Sequence, residues 1–339
     1  MEINRNLIIG RLYCLIEGRF HEIFFSLVDY RNSYFTSNNS DKIIEFYEGF
    51  ENRNQLILWM TERPKGVANI YEVNGKRDII VVIPTADFNG SYANECRENI
   101  YKGLHIIFVE SGGKLDFYFN IAHNINVGLK KAIEYDPQWI IFSGDDMKKI
   151  DKIEKIEREL QNIDNKTIDS VFTNPSPYHS TPMFIGKPTK LLNVSLWLLR
   201  FTSKKYSKIY QTFFHLKRFN DLLFFPRFQY DCSLFALILN IIFFKRIKSF
   251  INTLSFGIFS SNYVNRNEGK IFDETYINEM EDTDLSIRIE NSKTNTTTIN
   301  FLIGEYMGST LGNGGNRTLR VVPGYSYFSK KVEDAKIKF

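Results

Sequence analysis

Three short runs of β-branched and aromatic residues constrain the fold of this chain more than any other feature. They are DIIVVIP at 78–84, HIIFVE at 105–110 and WIIF at 139–142, and each is closed by Pro, Ser or Gly. Continuous apolar runs of this length are typical of strands that are buried on both faces of a sheet. Between the second and third runs, residues 119–136 place apolar side chains at helical spacing, namely Ile121, Ile125, Leu129 and Ala132. Strand, helix and strand in this order predict a parallel, crossover-connected sheet in an α/β fold.

Length and composition limit the class of protein. The chain has 339 residues, of which 43% are apolar and 24% charged. It can therefore form one large α/β domain with an appendage, or two modest domains, and wholesale disorder is excluded. The three cysteines (Cys14, Cys96 and Cys232) lie far apart, so neither a disulfide framework nor a thiolate zinc site is indicated, and we expect a reduced compartment.

The sequence shows neither an export signal nor a membrane span. Arg11, Glu17 and Arg19 interrupt the apolar start before it is long enough for a signal peptide. The longest apolar run, 234–244, has eleven residues, whereas a span needs about twenty. We therefore expect a cytoplasmic location, with peripheral attachment to the inner membrane face as an open possibility.

Polar residues follow each of the three predicted strands. They are Thr85 after the first, Glu110-Ser-Gly after the second and the pair Asp145-Asp146 after the third. In parallel sheets ligands bind beyond the carboxyl ends of the strands. Carboxylates at such an end can hold a hard divalent cation, which in turn can bridge a diphosphate. The alternative is a solvated turn in which an Asp caps a helix that starts near Lys148.

A second group of carboxylates lies near the end of the chain. Glu279, Glu281, Asp282 and Asp284 fall within six positions. Like charges this close are costly unless they cap a helix or meet a cation. A crowded or partly buried carboxylate can also act as a general base, because its proton affinity is raised.

Taken in order, these motifs resemble the family 2 glycosyltransferases of the GT-A fold, which use nucleotide-sugar donors and invert the anomeric centre. The resemblance covers roughly residues 78–310 and is carried by Ile83-Pro-Thr85, Glu110-Ser-Gly112, Asn126-Val-Gly128, Gly144-Asp-Asp146, and Phe272-Asp-Glu274 followed by Glu281-Asp-Thr-Asp-Leu-Ser-Ile-Arg288. The sequence departs from the family pattern at three places: Gly144 replaces the usual first Asp, Ile125 replaces a frequent Arg, and Glu305 or Tyr306 stands where a His is common.

The resemblance implies a role for each matching residue. Thr85 and Glu110 would contact the nucleotide base and ribose, and Asn126 would lie near the helix that borders the donor pocket. Asp146, helped by Asp145, would hold Mg²⁺ or Mn²⁺ against the donor diphosphate. Asp282 would be the general base for the acceptor hydroxyl, while Glu281 and Arg288 would orient this element. The acceptor would be a glycan, a lipid-linked molecule or a protein.

Two other function classes stay open. The chain could keep the fold without the chemistry and act as a membrane-surface or assembly module. A nucleotidyltransferase is a third class, but no Gly-rich basic phosphate loop follows the first predicted strand.

Residues 187–250 form a basic and aromatic segment. They contain twelve Lys/Arg against Asp221 and Asp231, so the segment carries +10 while the whole chain carries +4. Basic residues interleaved with aromatic rings favour contact with anionic headgroups at a membrane surface. Three alternatives are a helical insertion whose core is covered by Lys and Arg stems, an oligomer interface, and a nucleic-acid surface, which no recognition motif supports.

The sequence also predicts the domain organisation. We expect an N-terminal extension over 1–75, a GT-A domain over 76–322 with a helical insertion at 187–250, and a peripheral tail over 323–339. Within the extension, 41–50 is predicted to be an amphipathic helix capped by Ser40 or Asp41, and 55–60 to be a strand. Asn74-Gly75 predicts a hairpin turn.

Overall fold

The computed structural model describes residues 11–16, 19–24, 39–111, 118–173, 180–219, 242–253, 256–292, 294–305 and 315–334. For 11–24, 180–188 and 244–253 it describes the course of the backbone only. Most of the long apolar run, residues 234–241, and the position of Tyr306 lie outside these ranges. Among the described residues, no helix has both the length and the apolar character that a bilayer crossing requires.

The structure is mixed α/β. Its strands are β1 (Arg11–Ile16), β2 (Arg19–Phe24), β3 (Asn69–Val73), β4 (Lys76–Thr85), β5 (Leu104–Glu110), β6 (Trp139–Ser143), β7 (Met147–Lys149), β8 (Ser170–Thr173), β9 (Ser180–Pro188), β10 (Phe244–Thr253), β11 (Phe256–Ser260), β12 (Thr296–Ile299) and β13 (Ile303–Glu305). Its helices are α1 (Ser40–Glu48), α2 (Arg53–Glu62), α3 (Ser91–Glu95), a π-helical turn (Cys96–Ile100), α4 (Ile121–Ile133), α5 (Ile153–Gln161), α6 (Lys190–Leu199), α7 (Lys204–Phe219), α8 (Ser261–Arg266), α9 (Glu281–Asn291), α10 (Gly315–Arg320) and α11 (Val322–Glu333).

A seven-stranded sheet forms the centre of the fold, in the order β12-β8-β11-β6-β4-β5-β3. The three strongest sequence runs are its β4, β5 and β6, and β4 pairs in parallel with both of the others. Helix α4 lies in the chain between β5 and β6, as the spacing of its apolar residues predicts. The prediction of a buried, mainly parallel sheet is therefore confirmed.

Two strands of this sheet run against the other five. β11 pairs antiparallel with β6 and β8, and β3 pairs antiparallel with β5. β12 is parallel to β8, so β4, β5, β6, β8 and β12 share one direction. Their shared direction brings the carboxyl ends of β4, β5 and β6 to one edge of the sheet.

The predicted hairpin at Asn74-Gly75 is wrong. β3 and β4 do not pair with each other, because each pairs with β5, one on either side. The connection therefore crosses the start of β5, where Lys76 N–H donates to the carbonyl of Gly103. A side chain at Gly75 would lie 2.3 Å from the Leu104 backbone, so glycine is required by this close approach.

The strand predicted at 55–60 is also wrong, since these residues belong to α2. The Asn52 side chain accepts hydrogen bonds from the N–H groups of Asn54 and Gln55 and thereby starts the helix. Its buried residues, Leu56, Trp59 and Met60, follow helical spacing. The helix predicted at 41–50 is confirmed as α1, but Asn39 rather than Ser40 or Asp41 provides the cap.

The helix expected near Lys148 is absent from this described stretch. Residues 147–149 form β7, which pairs antiparallel with β13 and places Met147 opposite Glu305. The next helix, α5, begins at Ile153. Neither Asp145 nor Asp146 is thus a helix cap.

Among the described residues, three of the four hydrophobic cores organise the layers, and the fourth is a small one formed by Tyr276, Met280, Ile287 and Phe328. On one face of the central sheet, Val81, Phe108 and Ile141 pack against α5 and the π-helical turn. On the other face, Val82, Val109 and Phe142 pack against α4 and α9. A separate helical core joins α1, α2, α6, α7, α10 and α11 through residues that include Phe46, Trp59, Leu196 and Phe219.

The predicted extension and tail are parts of these cores. β3, α1 and α2 all lie within 1–75. β3 belongs to the central sheet, and α1 and α2 belong to the helical core. Residues 322–333 form α11, which buries Val322 and Phe328 instead of lying at the periphery. Within 187–250, α6 and α7 are helical as predicted, whereas β10 is a strand that pairs with β9.

Candidate functional site

Three of the predicted site residues meet at the carboxyl edge of the sheet. The Thr85 hydroxyl at the end of β4 donates a hydrogen bond of 2.7 Å to Asp145 Oδ2, just beyond β6. Glu110 Oε2 at the end of β5 accepts a hydrogen bond of 2.7 Å from the N–H of Phe88 in the loop after β4. The parallel pairing of β4, β5 and β6 thus builds a polar edge from Thr85, Glu110 and Asp145.

The turn at 144–146 is held from one face of the sheet. The Ser143 and Tyr101 hydroxyls lie 2.6 Å apart, and the Cys96 thiol donates to the carbonyl of Asp145 at 3.3 Å. Burial raises the pKa of the Cys96 thiol, and the charges of Asp145 and Asp146 raise it further. Cys96 is therefore a protonated packing residue and not a nucleophile.

The Asp145 carboxyl accepts several hydrogen bonds. Burial raises the pKa of its carboxyl, and hydrogen bonds from the Thr85 hydroxyl and the N–H groups of Asp145 and Ala86 offset part of that rise. These bonds fix the loops after β4 and β6 relative to each other. Asp145 thus braces the edge, and its neighbour Asp146 is only partly buried.

The β7–β13 pair brings Glu305 beside this turn. Glu305 is opposite Met147, the residue that follows Asp146. Within the ranges that the structure describes, no three carboxylate, imidazole or thiol groups come together as a complete metal cage. Mg²⁺, however, is commonly held by one or two carboxylates together with substrate phosphates and waters. The pair Asp145-Asp146 fits that incomplete donor set.

Asn126 lies within α4, and its side chain binds the segment that precedes α9. Its side-chain amide donates to the carbonyl of Phe272 at 2.9 Å and to Glu274 Oε1 at 3.0 Å, and it accepts from the N–H of Phe272 at 3.1 Å. Nearby, a side chain at Gly128 would lie 2.3 Å from Val82. The Asn-Val-Gly motif therefore holds α4 close to the sheet and holds 272–274 on α4.

The segment before α9 then runs to the carboxyl edge. Phe272 packs edge-on against Phe142, near the end of β6, with ring centroids 5.1 Å apart. Ile121 N–H, at the start of α4, donates to the carbonyl of Ile277. Because α4 follows β5, its first turn lies at this edge, and α9 begins only four residues after Ile277. The acidic start of α9 and the Asp145-Asp146 turn consequently lie at the same edge of the sheet.

The first turn of α9 contains three carboxylates: Glu281, Asp282 and Asp284. This position is favourable, because a helix N-terminus attracts negative charge. Asp282 Oδ1 accepts from the N–H of Thr283 at 2.6 Å, and Glu281 Oε2 accepts from the N–H of Glu279 at 2.7 Å. The cluster thus lies at a helix N-terminus, but none of its carboxylates caps the helix, because Met280 occupies the cap position and makes no side-chain capping hydrogen bond.

Glu281 has a strongly altered proton affinity. Burial raises the pKa of Glu281 to about 8, and the charges of Asp282 and Glu279 contribute. The Glu281 carboxyl is therefore largely protonated at neutral pH. The sequence predicted a raised proton affinity within this cluster but not that Glu281 would carry it, because the burial of each residue cannot be read from the motif.

Arg288 lies one to two turns further along α9. Its Nε donates to Asp284 Oδ2 at 2.8 Å, and its Nη2 donates to the carbonyl of Ile271 at 2.7 Å. It thereby ties the helix to the segment that precedes it.

A buried ionic network supports the same helix. Lys331 of α11 lies 2.7 Å from Asp284 Oδ1 and 2.9 Å from Asp273 Oδ2. The Tyr327 hydroxyl donates to Asp273, and the Tyr276 hydroxyl faces Asp284. Burial would raise the pKa of Asp273, but the Lys331 ammonium together with hydrogen bonds from Thr275 N–H and the Tyr327 hydroxyl outweighs it, and the pKa is lowered. No local sequence signal connects Lys331 to this site, because 47 and 58 positions separate it from its two partners.

Comparison with known proteins identifies no family. No family model matches the chain, and no curated protein matches it significantly. Function must therefore be inferred from the geometry.

Glu281 makes stability depend on pH in a predictable direction. The folded chain keeps the Glu281 proton up to about pH 8, whereas the unfolded chain releases it near the ordinary value of 4.5. Because the folded state binds more protons in this window, the free energy of unfolding falls as the pH rises through it. Glu281→Gln should remove this loss and stabilise the protein by about 2 kcal/mol at pH 8.5 relative to wild type, with a smaller gain at pH 5.

Urea unfolding at the two pH values measures this difference. Glu98→Gln is a suitable control, because it removes an exposed carboxyl from the π-helical turn. An equal effect of Glu281→Gln at both pH values would contradict the predicted burial cost.

Proposed function

We propose that the chain is an inverting glycosyltransferase of GT-A fold that moves a sugar from a nucleotide-diphosphate donor to an acceptor hydroxyl. The observation that supports it most is that Thr85, Glu110 and Asp145-Asp146 lie at the carboxyl edge of a mainly parallel sheet, and that the segment leading to the acidic start of α9 runs to the same edge. Such an edge is where ligands bind in sheets of this kind.

The donor would lie along the ends of β4, β5 and β6. Glu110 is held by the loop after β4, and that loop also carries Phe88, whose ring stacks on Tyr71 at 4.6 Å. These groups offer a carboxylate for ribose hydroxyls and an aromatic surface beside it for the base. Asp146, with Asp145, would hold Mg²⁺ or Mn²⁺, which neutralises charge on the leaving diphosphate when bound.

Asp282 would act on the acceptor. In an inverting transfer, the acceptor oxygen bonds to the anomeric carbon while the bond from that carbon to the diphosphate oxygen breaks. The acceptor proton passes to Asp282. Because burial raises the pKa of Glu281 to about 8, this neighbouring carboxyl is largely neutral at pH 7 and adds little negative charge beside Asp282.

Binding of the donor tests the proposal directly. Calorimetry with UDP, GDP and their sugars, with and without Mn²⁺, should show metal-dependent binding of at least one nucleotide. A screen for transfer or hydrolysis of nucleotide sugars then identifies the donor. Absence of binding to every nucleotide would favour the alternative, a fold that has lost its chemistry and serves as a binding module.

Asp146→Ala should weaken Mn²⁺-dependent donor binding at least about 10-fold, because a metal ligand is lost. Metal-free binding should change little. Asp164→Ala is the matched control, because Asp164 lies in a surface turn at the opposite edge of the sheet. Its neighbour Asn165 donates a hydrogen bond to the carbonyl of Gln138, the residue just before β6 begins. Equal donor affinities of Asp146→Ala and wild type in Mn²⁺ would overturn the metal assignment.

A further inference from the structure

Helices α6 and α7 leave large apolar side chains in solvent. Leu192 and Leu196 face the helical core, whereas the opposite side of α6 and the following turn expose Val194, Trp197 and Phe201. Phe201 is 71% exposed and Trp197 46%. We call α6, α7 and their connection (residues 190–219) the α6–α7 surface. Exposed apolar residues grouped in this way mark an interaction site.

A groove runs between the two helices. Its volume is about 640 Å³, and its apolar lining includes Val194, Trp197, Tyr210 and Phe214. Lys217 and Arg218 also line it. The groove therefore combines rings and aliphatic side chains with positive charge.

The charge of this region has one sign. Residues 174–220 contain eight Lys/Arg and no Asp or Glu. Arg200 lies over three rings, with its guanidinium carbon 5.4 Å from Trp197, 4.5 Å from Phe201 and 4.9 Å from Tyr210. On α6, Lys190 is on the same face as Val194, Trp197 and Phe201 by helical spacing. Cations and aromatic rings thus occupy one face.

This chemistry selects among possible partners. A second copy would bring two acid-free basic surfaces together, and their like charges would repel. Single-stranded nucleic acid uses rings and cations, but exposed aliphatic side chains such as Leu198 and Leu199 have no stacking role there. An anionic bilayer uses all three groups: rings and aliphatic residues enter the interface while Lys and Arg meet the headgroups.

We propose that the α6–α7 surface docks on a membrane that carries anionic lipid, with Trp197 and Phe201 inserted at the headgroup level. This inference does not depend on the transferase chemistry.

Tryptophan fluorescence of the full chain tests it without a label. The chain has three tryptophans, and Trp59 and Trp139 are buried, 6% and 1% exposed, in contrast to Trp197. Vesicles of phosphatidylcholine with phosphatidylserine should sediment the protein and shift its emission to the blue, and brominated acyl chains should quench it. Vesicles of phosphatidylcholine alone should do neither. The Trp197→Phe variant should still sediment but lose the shift.

Three double variants separate the contribution of the positive charges from that of the aromatic side chains. Lys190→Gln with Lys217→Gln should weaken binding to anionic vesicles about 30-fold, from the contribution of each lysine near a charged surface. Trp197→Ser with Phe201→Ser should weaken it about 10-fold or more. Lys102→Gln with Lys166→Gln removes two exposed lysines elsewhere and should bind as wild type.

Three results would overturn the proposal: no sedimentation with anionic vesicles, equal binding to neutral and anionic vesicles, or equal affinities of the Lys190/Lys217 and control variants. Self-association that is independent of vesicles and lost in Trp197→Ser with Phe201→Ser would also overturn it, in favour of a contact between copies.

Discussion

Replacing Asp282 with Asn is expected to lower the rate of sugar transfer about 10²- to 10⁴-fold, the usual contribution of a positioned general base. The substitution keeps the size of the side chain and leaves Oδ1 able to accept the hydrogen bond from Thr283 N–H. The start of α9 should therefore stay folded. What is lost is the capacity to take the acceptor proton, so the effect should appear in kcat, while donor binding by calorimetry stays close to that of wild type.

Two controls make this result specific. Asp164→Asn is the same chemical change at the opposite edge of the sheet and should leave turnover intact. Glu281→Gln separates the two neighbouring carboxyls: if Glu281 only orients the helix, turnover should survive its loss. Full activity of Asp282→Asn, or loss of activity in Glu281→Gln alone, would show that the base is assigned to the wrong residue.

The sequence predicted the parallel part of the sheet because β6, β4 and β5, which are neighbours there, are continuous apolar runs. β4, β5 and β6 are buried on both faces. A strand of this kind is a continuous apolar run, which can be recognised without knowing which strands pair with it. β11 is equally buried, but it enters antiparallel between β6 and β8 from a distant part of the chain. Its residues, FGIFS, do not reveal that long-range pairing.

Local turn chemistry was misleading where tertiary pairing decided the result. Asn74-Gly75 favours a hairpin, yet β5 lies between the two strands that it joins. The apolar residues of 55–60 suggested a strand, yet Asn52 caps a helix there. At Asn74-Gly75, pairing with β5 outweighed the local turn preference, whereas at 55–60 a local cap that the strand prediction overlooked starts the helix.

At the polar edge, too, the sequence predicted the positions of residues but not their contacts. The positions of Thr85, Glu110 and Asp145 follow from strand ends, which the sequence predicts. The hydrogen bond from Thr85 to Asp145 and the full use of the Asn126 amide by 272–274 require coordinates. Lys331 was assigned to a peripheral tail because its neighbours are charged, while α11 in fact buries it between two carboxylates.

Lys331→Met should destabilise the protein by about 3–5 kcal/mol, because it leaves two buried or partly buried carboxylates without their shared cation. In the part of the chain that the structure describes, Asp284 is completely buried and keeps Arg288 as its remaining cationic partner. Asp273 loses the ammonium that holds its pKa below the ordinary value of 3.8. A loss of this size is a large share of the stability of an ordinary domain. Urea unfolding at neutral pH measures it.

The adjacent lysine provides the matched control. Lys330 pairs with Asp334 on the surface of the same helix, at 3.0 Å with both side chains about one-third exposed. Lys330→Met should therefore cost at most about 1 kcal/mol. The double variant Lys331→Met with Asp273→Asn should be less destabilised than the sum of the single changes, because it removes one of the uncompensated charges. Equal losses in Lys331→Met and Lys330→Met would mean that the network does not hold α9 to α11. If the larger loss is found, the element that carries Asp282 is anchored by a residue 49 positions away, and turnover should fall in Lys331→Met at temperatures where the protein is still folded.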